Sequence, residues 1–104
     1  MEKLLEARQE FTCDLAELIR YINSQQGFKC VVGRDGEKHM KDSLHYEGLA
    51  HDLLIYRDGV WIEKTEEYKF AGDFWKGLRP ENKWGGDFKT ADGNHFSHGF
   101  YGRA

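Results

Sequence analysis

DLLIYRDGVWI, Asp52 to Ile62, decides how this chain folds. Asp52 to Tyr56 is apolar and β-prone, and Asp58-Gly59 followed by Val60, Trp61 and Ile62 is a two-residue hairpin signal, because such turns need positive φ at both central residues. Two antiparallel strands are expected, with Trp61 in the core. Upstream, Leu4, Phe11, Leu15, Leu18, Ile19 and Ile22 recur at helical spacing among charged residues, and Gly27 follows as a stop. Phe28, Cys30, Val31 and Val32 then form a short strand ending at Gly33, and the polar stretch Arg34 to Ser43 reads as a surface loop. Downstream, Thr65 is expected to cap a helix through Leu78 with Tyr68, Ala71, Phe74, Trp75 and Leu78 as its apolar stripe, and Pro80 lies beyond its end. The glycine- and aromatic-rich tail offers short strands around Phe88 and Phe96. Helix, strands, helix and short strands make an α+β fold class, with an antiparallel sheet packed against helices.

A chain of 104 residues supports one modest core, so residues 1–104 are read as a single domain. The hydrophobic share of 39%, the charged share of 32% and the net charge of −3 fit a soluble globular protein. That mild acidity offers no footprint for nucleic acid or an anionic membrane. Cys13 and Cys30 are expected to be buried reduced thiols, since two cysteines make no dense cystine framework. The opening MEKLLEARQEFTCDL has no unbroken apolar core of a signal peptide, and no run is long enough to span a bilayer. Synthesis in the cytoplasm without a signal peptide is the corresponding expectation.

Metal-capable side chains crowd beside the apolar run. His45 and Asp52 are seven residues apart, which on a helix means a rise of roughly 10 Å and on one strand means opposite faces. They converge only if His45 sits on a turn, with Gly48 supplying permissive backbone, and Asp52 opens the strand. In the tail, Asp92 and His95 are three apart across a Gly-Asn turn, which brings them to one side. Three nitrogen or oxygen ligands with an open fourth position is a common arrangement of hydrolytic Zn2+, and His45, Asp52 and His95 would supply it. Asp92 would then be the carboxylate that takes a proton from the attacking water and returns it to the leaving amine.

Ser43, His45, Gly48, Ala50 and Asp52 also match the motif SxHxxGxAxD, and DGNHF, Asp92 to Phe96, matches DxxHF. In both, the sequence resembles the zinc peptidases that include D-alanyl-D-alanine carboxypeptidases and the L-alanyl-D-glutamate endopeptidases used as bacteriophage endolysins. The resemblance implies a small α+β domain with zinc on His45, Asp52 and His95, and with Asp92 as catalytic base. It implies a peptidoglycan stem peptide as partner, and a phage or prophage endolysin reaching the cell wall by export or holin-assisted release; separately, a monomer is the expectation for the chain. Larger members carry an arginine before the first motif that polarises the scissile carbonyl or holds a substrate carboxylate. Arg34 takes that role here, and Ser43 is assigned to substrate binding, against the alternative that it caps the turn. Many members follow HF with a glutamate, whereas this chain has Ser97, so an outer contact differs. A D-Ala-D-Ala carboxypeptidase, which would need Arg34 or Lys41 for a terminal carboxylate, and a non-catalytic metal-stabilised cell-wall module are the rival readings. A metal-dependent nuclease is disfavoured by the acidic balance. His39, His51 and His98 are expected at the surface, and Glu47 is read as solvated.

Overall fold

A computed structural model describes residues 2–33, 44 and 48–104. Helix α1 (Glu2–Ser24) buries Ala7, Phe11, Asp14, Leu18 and Ile22, a stripe with three- and four-residue spacing that keeps one face on the core. Strand β1 (Phe28–Val32) follows, then β2 (Ala50–Arg57), which turns through Asp58 (φ 51°) and Gly59 (φ 82°) into β3 (Val60–Trp61). A 3-10 turn (Thr65–Tyr68) leads into α2 (Lys69–Leu78). Strand β4 (Asn82–Trp84), a second 3-10 turn (Gly85–Asp87) and β5 (His95–His98) complete the order. The antiparallel sheet runs β1-β2-β5-β4, with β3 paired to β2, so the α+β class read from the sequence is the observed one.

Strand β2 organises the sheet by taking different neighbours along its length. Leu53 to Arg57 pair with β1, Ala50 to Asp52 pair with β5, and Tyr56 and Arg57 pair with β3. Alternation divides its two faces. Leu53 and Ile55 are fully buried with Phe96 of β5, whose ring meets Trp75 of α2 edge-on at 6.0 Å. Asp52 lies on the opposite face.

Between β5 and β3 the edge of β2 would leave a backbone group unpaired. The buried Tyr68 hydroxyl fills that gap, accepting from Ile55 N at 3.0 Å and donating to Ile62 O at 2.7 Å. A second polar join fastens α1 to the far end of the sheet. Asp14 accepts from Arg79 Nε at 2.8 Å and from Asn82 Nδ2 at 3.2 Å, while Glu10 meets Arg79 at 3.2 Å and His98 Nε2 at 2.9 Å.

Several local expectations change. Thr65 does not cap α2; its hydroxyl accepts from Gly93 N at 3.2 Å, and a 3-10 turn precedes the helix. Phe88 is outside any strand, and the strand of that region is β4. Trp61 is 47% exposed because its two-residue strand lies at the rim. His98 is 4% exposed, since the even positions of β5 face the helices and Glu10 meets its ring there. Cys13 is exposed and Cys30 half-buried, both as free thiols.

Replacing Tyr68 by phenylalanine should lower stability by about 1–3 kcal/mol, because it strands a buried amide and a buried carbonyl; urea unfolding measures the loss. Burial also pushes the Tyr68 phenol above its ordinary 10.0. The folded protein therefore holds a proton that the unfolded chain releases, and stability should fall as pH rises beyond that value. In Tyr68→Phe that component of the alkaline loss should vanish.

Candidate metal centre

The register of β2 against β5 builds the centre. Asp52 stands directly opposite His95 in an antiparallel pair, so both side chains leave the sheet on one face. His95 is 7% exposed and Asp52 half-buried. Asp92 enters from the turn before β5, which His95 N closes by donating to Asp92 O at 3.1 Å. One ligand atom from each of Asp52, Asp92 and His95 lies within 4.8 Å of the others. Donors about 2.0–2.2 Å from one tetrahedral cation stand roughly 3.3–3.6 Å apart, a separation that small side-chain rotations reach from this cluster, and two carboxylates with an imidazole are a donor set suited to zinc. The residues therefore fit a divalent cation.

The Asp92–His95 turn is held from four sides. Gly85 O accepts from Asp92 N at 2.9 Å and from Phe88 N at 3.1 Å. Gly93 is fixed between Thr65 Oγ1 and Trp84 Nε1, the latter donating to Gly93 O at 2.7 Å. The Phe88 ring packs beside that of His95 with centroids 5.1 Å apart. Gly85 itself leaves no room for a side chain: a methyl group would overlap the Asp92 carbonyl and come within 2.7 Å of His95 Cβ. Thr65 and Gly85 were missed as site residues because their role is contact with a turn distant in sequence.

Of the expected site residues, the structure brings together Asp52, Asp92 and His95. His45, Ser43 and Arg34 lie outside the described residues, as do His39, Lys41 and Glu47. Gly48 does take positive φ, 73°, and Leu49 N donates to Leu44 O at 3.0 Å. His51 pairs with Phe96 on the other face from Asp52, as alternation requires, but is half-buried rather than solvent-facing. Beside Asp92, a cleft lined by Trp61, Ile62, Glu63, Thr65 and Asn94 opens to solvent.

No protein-family model matches the sequence, and no curated protein matches it. Among solved structures the chain is similar to the L-Ala D-Glu endopeptidase ChiX of Serratia marcescens. The TM-score is 0.63 over 91% of this chain and 85% of that one, at 24% sequence identity. The two chains thus share one fold, a small α+β domain with an antiparallel sheet and two helices. Among the described residues no helix is long and apolar enough to cross a membrane.

Gly85→Ala should displace the Asp92–His95 turn and weaken zinc binding about 10- to 100-fold, the range typical of lost ligand support. Gly77→Ala is the control: its added methyl meets nothing within 4 Å on the surface of α2, and it should leave zinc binding unchanged. Competition with a chromophoric chelator reads both.

Proposed function

We propose that this chain is a zinc-dependent peptidase that hydrolyses an amide bond in peptidoglycan stem peptides, at the L-alanyl-D-glutamate linkage, as a phage or prophage endolysin. The convergence of Asp52, Asp92 and His95 at one sheet face carries the reading. The two sequence motifs and the fold shared with an L-Ala D-Glu endopeptidase support it.

In this reading His45, Asp52 and His95 hold the metal, which supplies Lewis-acid polarisation of the scissile carbonyl and of the attacking water. Asp92, the exposed member of the cluster, takes the proton that the water loses as its oxygen bonds to the carbonyl carbon. It delivers that proton to the departing nitrogen as the C–N bond breaks, leaving a carboxylate and an amine. Arg34 stabilises charge developing on the carbonyl oxygen, and Ser43 contacts substrate. The open cleft from Asp92 past Thr65 to Trp61 suits an extended peptide, and an exposed tryptophan at its end gives an apolar wall.

Purified muropeptides analysed by mass spectrometry test the bond. Fragments ending at L-alanine are expected, and free D-alanine as the sole product would instead establish a carboxypeptidase. Asp92→Ala should keep zinc and lose about 100- to 10,000-fold in rate, the usual contribution of a general base. Full cleavage by that variant would remove Asp92 from the mechanism, and loss of its zinc would make it a ligand. His95→Ala should lose both metal and cleavage.

A further inference from the structure

The tail beyond β5 folds back onto the candidate centre. Gly99 N is anchored on Glu81 O at 2.8 Å, and Phe100 and Arg103 exchange two backbone hydrogen bonds of 3.1 Å each across a two-residue turn. Its central residues, Tyr101 and Gly102, have φ of 49° and 80°, so the turn belongs to the positive-φ kind that returns a chain antiparallel to itself. The return delivers the main-chain oxygen of Ala104 to within 3.1 Å of His95 Nε2 and 3.1 Å of Ser97 Oγ. Ser97 is fully buried. Lying two residues beyond His95 on one strand, it projects from the same face.

A main-chain oxygen only accepts, so in this contact Nε2 of His95 carries the proton and Nδ1 is the nitrogen that would serve a cation. The Ser97 hydroxyl occupies the second lone pair of that oxygen and fixes where it points. Ligating histidines ordinarily donate their other N–H to a carboxylate or carbonyl, which sets tautomer and ring orientation.

We propose that Ser97 and the Ala104 main-chain oxygen are positioning groups for His95, holding its ring in the Nε2–H tautomer with Nδ1 presented to the metal beside Asp52 and Asp92. This rests on the metal-peptidase reading above. The tail hairpin is then part of the metal centre, although none of its side chains binds the ion.

Three variants of the full chain test it. Gly102→Val forces a β-branched residue into positive φ at a position where a Cβ has nothing within 4 Å, so backbone strain rather than a Cβ clash is what it introduces. Gly102→Asn is the conservative counterpart, since asparagine tolerates that conformation. Ser97→Ala removes the hydroxyl. Long-range imidazole proton-nitrogen spectra of the metal-free protein should show one His95 tautomer in the wild type and Gly102→Asn, and a mixture in Gly102→Val and Ser97→Ala. Zinc affinity should fall about 10- to 100-fold in the latter two and hold in Gly102→Asn. Unchanged metal-free spectra in both Gly102→Val and Ser97→Ala would overturn the proposal, as would altered spectra with equal or tighter zinc binding. A wild type with a locked tautomer and no affinity for zinc would overturn the metal-ligand role while leaving the contact itself intact, which separates that failure from the others.

Discussion

The antiparallel register that sets Asp52 opposite His95 is the constraint on which the rest depends. A slip of one residue would turn Asp52 to the helix face and Leu53 to the open face, so burial of Leu53, Ile55 and Phe96 fixes the position of the two polar side chains. Core packing and site geometry are thus one choice made twice. The hydrophobic face cannot be satisfied in a register that separates the pair.

Much of this was legible locally. Asp58-Gly59 announced the hairpin, the apolar spacing announced α1, and the short Asp92–His95 interval announced a turn with both side chains on one side. What periodicity could not supply was the partner of each strand edge. Thr65 has the chemistry of a cap and serves instead as an anchor for Gly93, because the Asp92–His95 turn before β5 docks there. His98 is a second example of the same difficulty: its type suggests a surface or site residue, whereas its odd distance from His95 along β5 sends it to the helices and Glu10. Asp14 broke the apolar stripe of α1 for a reason visible only in three dimensions, its pairing with Arg79 and Asn82.

The two faces of β5 therefore carry two kinds of polar chemistry. On the helix side, His98 belongs to an ionic and hydrogen-bonded join between α1, β4 and the chain after α2. On the open side, His95 and Ser97 face carboxylates and the returning tail. Four consecutive buried residues, His95 to His98, keep these environments apart across the thickness of one strand.

The pairing of β2 with β5 also joins chain segments separated by the second helix and β4. Closing so long a loop has an entropic cost, and only three residues of β2 take part in the pairing. An ion gripped by Asp52 and His95 would bridge that seam as a removable cross-link. Each increment of metal activity would then stabilise the closed sheet by mass action, so the condition that arms the centre would also guard the domain against proteolysis.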